Sequence, residues 1–225
     1  MILACGALKA HVDAAQAKMG TNHPVVVMDR KYHDDPAQMR RHLMETMETL
    51  PAEADTLLVA MGYCGGSWEN LPSGRRVVLP RVDDCTTLLL HTDDRWFPNL
   101  KREGHLYLRD SDTAEHSLEA MQRKLCLKYG GMYGEMIFHS MFANYTDADI
   151  IDTGAYDCYS EEYVAEMQRS ADLVNASLGY VEGSNRILEK LVSGRWDRQF
   201  WVLEPGQILH EGDLFDGSEA GKAIY

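Results

Sequence analysis

Residues 56–67 read Thr-Leu-Leu-Val-Ala-Met-Gly-Tyr-Cys-Gly-Gly-Ser, an apolar run that stops at a glycine and then offers a cysteine. A run this short, bounded by glycine, reads as a buried strand. The same grammar recurs around it. Residues 1–4 are apolar and end at Cys5-Gly6, and the valine run of 24–29 suits a strand buried on both faces. Residues 76–80 form a fourth strand, running into Arg81-Val82-Asp83-Asp84-Cys85.

Helical stretches fill the gaps. Residues 7–19 are closed by Gly20, and 37–50 are opened by Pro36 with Met39, Leu43, Met47 and Leu50 at helical spacing. A short helix follows at 86–91. Further on come an edge strand at 105–108, helices at 114–129 and 132–143 broken at Gly130-Gly131, and a strand at 148–152 leading to Thr153-Gly154. A helix at 161–176 with Ser160 as N-cap, a strand at 179–182, a helix at 185–192 and a strand at 200–203 complete the series. Strands alternating with helices predict an α/β fold, a mainly parallel sheet with helices on both faces, in a layout that admits two similar lobes. Residues 1–112 are the expected first lobe, carrying the Cys/His site, and 113–225 a second lobe packed against it; a single domain is the alternative.

Composition narrows the function classes. The 225 residues are 45% hydrophobic and carry 22 Lys plus Arg against 35 Asp plus Glu, a net charge of −13. Such a surface repels phosphate backbones, so neither nucleic acid nor an anionic membrane is an expected partner. No apolar stretch approaches the roughly 18 to 20 residues of a spanning helix. The opening Met-Ile-Leu-Ala-Cys-Gly lacks the basic and apolar regions of an export signal, so a cytoplasmic protein is expected. An odd count of 5 cysteines fits thiols or metal ligands better than a disulfide framework.

The strand ends gather the soft ligands. Cys5 ends the first strand, His33 follows the second, Cys64 the third and Cys85 the fourth. In parallel sheets ligands bind beyond the carboxyl ends of the strands. Thiolate and imidazole suit zinc, iron or an iron–sulfur centre. No Cys-x-x-Cys clip is present, so this would be a site assembled by tertiary structure. A single buried cysteine is more often a small hydrophobe, and only the joint placement points to a shared site. Cys126, between Leu125 and Leu127, reads as core, and Cys158 lies in a loop where either role fits. His139 reads as a core histidine; His23, His42, His91, His105, His116 and His210 read as surface or linker residues.

Gly62, Gly65 and Gly66 around Tyr63 and Cys64 permit positive φ and close approach of a bound group, or simply a tight turn. The segment is neither a Rossmann nor a Walker loop. Asp83, Asp84 and Asp152 fall on the same predicted edge, as acid/base groups or as partners orienting His33; Asp84 is equally an N-cap for 86–91. Tyr63, Tyr145 and Tyr156 sit near strand ends and are candidates to line the pocket.

Several of these segments resemble the family called domain of unknown function 1638. They are Ile2-Leu3-Ala4-Cys5-Gly6, Tyr32-His33-Asp34-Asp35-Pro36, Gly62-Tyr63-Cys64-Gly65-Gly66 and Leu79-Pro80-Arg81-Val82-Asp83-Asp84-Cys85, followed by Ile151-Asp152-Thr153-Gly154 and Val181-Glu182-Gly183-Ser184 through Gly194 and Trp196. Asp83 stands where that family usually has His, and the Cys64 box is shortened. The resemblance implies a place in one-carbon metabolism of the corrinoid-dependent methyl-transfer type, with a corrinoid protein as partner.

The expectation is therefore a metal protein with Cys5, Cys64 and Cys85 as thiolate ligands and His33 as fourth ligand or acid/base group, helped by Asp84 or Asp152. With zinc or iron it would be a transferase acting on a thiol or a methylated amine. With a [4Fe–4S] cluster it would be a lyase or reductive enzyme. A non-catalytic metal carrier for a corrinoid or metalloenzyme partner is the third reading.

Overall fold

The computed structural model describes residues 1–110, 116–210 and 212–215. The chain groups into two compact units, one made of residues 1–100 and 184–225, the other of 101–183. The second unit is thus inserted in sequence into the first. The expected lobe boundary at 112 lies outside the described residues.

The first unit is built on strands β1 (Ile2–Cys5), β2 (Val25–Met28), β3 (Thr56–Ala60), β4 (Arg76–Pro80) and β8 (Phe200–Leu203), in the order β2-β1-β3-β4-β8. The first four run parallel, and β8 closes the far edge antiparallel to β4. Chain order reverses at β1, whose neighbours are β2 on one side and β3 on the other. That is a topological switch point, where the loops leave in opposite directions and open a crevice. Ile2, Leu3, Leu57, Val59 and Leu79 are fully buried. Helix α1 (Lys9–Met19) packs on α7 (Arg186–Ser193), and α7 in turn lies on β3 and β4. Helix α2 (Pro36–Thr49) buries Met39 and Leu43, and α3 (Cys85–Leu90) is short. Gly20 and Gly194 end α1 and α7 at φ of 67° and 77°, left-handed values that glycine adopts without strain.

The second unit holds a parallel sheet, β5 (His105–Leu108), β6 (Asp147–Asp152) and β7 (Ser177–Glu182). Alternation divides its faces. Leu108, Ala148 and Ile150 pack with Phe138, Phe142, Met167 and Ala171, which come from α5 (Gly131–Phe142) and α6 (Glu161–Leu173). On the other face His105 Nδ1 lies 2.6 Å from Asp149 Oδ2. Helix α4 (Leu118–Tyr129) crosses α5 so closely that a Cβ on Gly134 would sit 2.4 Å from Cys126 Cα. No helix among the described residues is long and apolar enough to cross a membrane.

The α/β reading with mainly parallel sheets holds, and most element bounds fall within a few residues of expectation. Five local expectations do not. The valine run is an edge strand, with Val27 46% exposed. Its composition records β propensity but not its place in the sheet. Residues 6–8 form a 3₁₀ turn before α1 rather than its first helical turn. Cys126 is half-buried at the helix crossing and His139 is exposed, because α5 turns only Gly134, Phe138 and Phe142 inward. His91 is buried, 2.9 Å from the Thr87 carbonyl, and burial pushes its pKa down.

Candidate metal centre

The loops at the carboxyl ends of β1 to β4 are each held by backbone bonds or caps that fix one sulfur or ring. Cys5 is the last residue of β1 and fully buried. After β2, Asp29 accepts from Lys31 N and starts a 3₁₀ turn over Arg30–Asp34. Asp35 ends that turn and caps α2, accepting from Ala37 N and Gln38 N, with Pro36 at the start. Tyr32 stacks on His42 of α2, ring centres 4.1 Å apart. His33 sits between these two caps on a short, well-pinned segment.

Its ring orientation follows from one contact. His33 Nδ1 is 3.1 Å from the Arg30 carbonyl. A carbonyl can only accept, so Nδ1 is the donor, and in the neutral ring Nε2 is the nitrogen that presents a lone pair. Nε2 faces sulfur: Cys5 Sγ at 3.7 Å and Cys64 Sγ at 3.8 Å. Metal-bound histidines are commonly fixed this way, through the nitrogen that does not bind the metal.

Beyond β3 the chain keeps pairing with the chain beyond β4. Tyr63 N donates to the Val82 carbonyl (2.8 Å) and Cys64 N to the Asp83 carbonyl (2.7 Å). This pairing brings Gly62 so close to Asp84 that a Cβ there would lie 2.5 Å from Asp84 Cα. Cys64 itself has φ of +49°, a value few non-glycine residues adopt. Gly65 follows at φ +66°, where a Cβ would press on Pro36. The two loops carrying Cys64 and His33 are therefore packed together. Cys85 opens α3, and Asp84 caps that helix by accepting from Thr87 N at 2.8 Å.

The result is one cluster. One ligand atom each from Cys5, His33 and Cys85 lie within 4.8 Å of one another. Cys64 adjoins them through His33 and through its hydrogen bond with the Cys85 thiol. That bond, then burial, then the neighbouring Cys85, Cys5 and Asp84 push the Cys64 thiol well above the usual range. Crowded thiols stay protonated when nothing positive is nearby; a bound cation reverses that preference.

Of the other expected site residues, Asp152 belongs to the other sheet, and the rest have partners of their own. Asp152 ends β6 in the three-stranded sheet, so it does not share the sheet edge that carries the cysteines. Its carboxylate accepts from Tyr159 OH (2.7 Å) and Gly154 N (3.1 Å), and the tyrosine holds its pKa down. Tyr63 is buried and donates to Glu69 Oε1, while Tyr156 OH donates to the Ile151 carbonyl at 2.7 Å. Asp83 Oδ1 accepts from Asp84 N.

One supporting residue escaped the sequence reading. Arg81 is buried, its guanidinium 4.3 Å from the Trp96 ring centre and 5.5 Å from that of Trp201, and its carbonyl accepts from Trp96 Nε1. It anchors the segment that delivers Cys85. Its place in the Pro-Arg box was the available signal.

No curated protein and no solved structure matches the chain. A family profile described as protein of unknown function (DUF1638) matches residues 27–192, a span that includes His33, Cys64 and Cys85, the whole three-stranded sheet and part of the five-stranded one. The chain belongs to the DUF1638 family.

Proposed function

We propose that the chain binds a single transition-metal ion, zinc foremost, through Cys5, Cys85 and His33, with Cys64 as a displaceable fourth arm, and that it acts there on a small thiol or methylated amine. The observation that carries this reading is the convergence of donors from separate strand ends to within 4.8 Å, with His33 pinned in the tautomer that leaves Nε2 open. Tetrahedral zinc with bonds of about 2.3 Å to sulfur and 2.0 Å to nitrogen sets its ligand atoms about 3.6 Å apart. The 3.7 and 3.8 Å separations of His33 Nε2 from Cys5 and Cys64 suit that geometry. A [4Fe–4S] cubane places each thiolate on a different iron, farther apart than ligands of one ion. The spacing therefore favours a mononuclear centre.

An enzyme needs an exchangeable position, whereas a saturated shell suits a structural or carrier site. Cys64 is the arm best suited to yield. It has strained backbone, two glycines after it and partial exposure, while Cys5 and Cys85 are buried. When bound, the ion would hold thiols deprotonated at neutral pH and polarise a ligand entering beside it. The protein's own part is to hold the donors, orient the His33 ring through Arg30 and wall the crevice. The thiol substrate follows from that chemistry; methyl transfer with a corrinoid partner is what family resemblance adds.

Cobalt-substituted protein titrated with ethanethiol tests this. The expected result is a new sulfur-to-cobalt absorption in wild type, stronger in Cys64→Ser, with no such change in His33→Ala, which should lose most of its metal. Full loading with no thiol response in either wild type or Cys64→Ser would overturn the enzyme reading in favour of a closed carrier site.

A further inference from the structure

The three cysteines of the metal centre are not held alike. Cys5 closes β1 and is fully buried, and Cys85 is the buried first residue of α3, whose N-terminus Asp84 caps. A regular element fixes each of these two. Cys64 is partly exposed and lies in a turn. Its φ of +49° is followed by +66° at Gly65 and +81° at Gly66, and the two glycines can change conformation at little cost. The turn nevertheless runs beside the segment that carries Cys85. Cys64 N donates to the Asp83 carbonyl at 2.7 Å, and the Cys64 and Cys85 thiols share a hydrogen bond. A partly exposed sulfur on a hinged turn thus faces a buried sulfur on a fixed one.

We infer that Cys64 and Cys85 form a redox pair: a hydroperoxide oxidises Cys64, Cys85 closes a disulfide on it, and the bound ion is released. The pair depends on the metal reading proposed above and would regulate that same site. The Cys64 sulfur, held as a thiolate in the loaded centre, attacks one peroxide oxygen; the O–O bond breaks and hydroxide leaves, taking up a proton as water. The Cys85 sulfur then attacks the sulfenic sulfur, the S–O bond breaks, and the second hydroxide leaves as water. Two thiols and one hydrogen peroxide give one disulfide and two waters, with the two electrons lost by sulfur reducing the peroxide. Ligand sulfurs on a tetrahedral zinc lie about 3.8 Å apart. A disulfide holds its sulfurs at about 2.0 Å, so the linked pair cannot span the ion. Cys5 and His33 then remain, two donors where a stable zinc site has at least three. Cys5 and Cys85 are also neighbours, with ligand atoms inside the 4.8 Å cluster, but both are buried and Cys64 meets the oxidant first.

Zinc-loaded protein treated with one equivalent of hydrogen peroxide tests this, with free zinc read by a chromogenic chelator and disulfides mapped by mass spectrometry of unreduced peptides. Wild type should lose its zinc and two of its five thiols, show a link between Cys64 and Cys85, and take zinc up again after dithiothreitol. Cys126, which belongs to the other unit, supplies the control: Cys126→Ser should respond as wild type does. Cys64→Ser, loaded with zinc beforehand, should keep it under the same treatment. A chain that holds no zinc before peroxide is added would overturn the metal reading and the redox pair with it. Zinc that is bound but survives peroxide, or is released with any other cysteines linked, would overturn the redox pair alone.

Discussion

The carboxyl ends of the two parallel sheets look alike in topology and differ in chemistry. In each, a strand runs into a glycine-containing loop and then a helix. At the larger sheet the loops deliver Cys5, His33, Cys64 and Cys85, which engage chiefly one another: His33 Nε2 lies 3.7 Å from Cys5 Sγ and 3.8 Å from Cys64 Sγ. At the smaller sheet the loop after β6 delivers Asp152, Tyr156, Cys158 and Tyr159, and these are consumed locally. Tyr159 and Gly154 satisfy Asp152, Tyr156 satisfies Ile151, and Cys158 is buried in the core, where burial pushes its pKa up. Topology supplies the place; whether the donors there are soft, convergent and still able to take a ligand decides the function.

The largest effect should come from removing a buried ligand. Cys85→Ser should empty the centre and destabilise the protein by about 4 kcal/mol, the linkage expected when metal is present at a thousand times its dissociation constant. Thermal melting with and without chelator checks it: chelator should lower the wild-type midpoint and leave the variant unmoved. The parallel substitution in the smaller sheet's loop, Cys158→Ser, should cost stability without changing metal content.

Gly62→Ala should come next. Its methyl would overlap the Asp84 backbone, forcing the Cys64 and Cys85 segments apart. The expected cost is about 1–3 kcal/mol, with reduced metal affinity, read by denaturant unfolding and metal titration. Unchanged affinity would mean that the pairing of the two loops does not set the site.

The third contrast is between cysteines. Cys64→Ser should weaken metal binding, while Cys126→Ser, at the α4–α5 crossing, should retain full metal content. The pH dependence has a definite sign. Because the folded state raises the Cys64 pKa, the metal-free protein favours the neutral thiol. That stabilisation is complete below the unfolded thiol pKa of about 8.5 and is lost as pH rises through the folded value. Metal binding needs the thiolate, so affinity should fall as pH falls. Unfolding of metal-free protein across alkaline pH checks the first part, and competitive metal titration checks the second.

The smallest effect should be at the other edge. Tyr159→Phe removes the bond that holds the Asp152 pKa down, so that carboxylate should titrate closer to its ordinary range by NMR. Asp152 is half-buried and keeps its bond from Gly154 N, so the melting temperature should barely move.

Much of this was legible in the sequence because a parallel strand writes its own end. Each of the first four strands is an unbroken apolar run, so the residue just past it is known to lie at the carboxyl edge, and the four soft donors could be grouped from one dimension. Sheet membership is not written that way. Asp152 ends a strand that also runs parallel to its neighbours, yet β6 pairs only with β5 and β7. Val27 sits in a run that would suit a central strand, but pairing order leaves it at the edge. His139 and Cys126 were misplaced for a related reason: α5 is apolar on both sides, so its inward face could not be read from periodicity. The tautomer of His33 depends on the Arg30 carbonyl, a backbone contact that no side-chain pattern records.

X-ray absorption on protein purified without oxygen, with metal analysis of the same sample, tests the metal centre most directly. The account predicts one zinc or iron per chain, bound by sulfur and one imidazole nitrogen, and loss of the nitrogen signal in whatever metal His33→Ala retains. A chain that binds no metal, or one that holds a multi-iron cluster with inorganic sulfide, would contradict it.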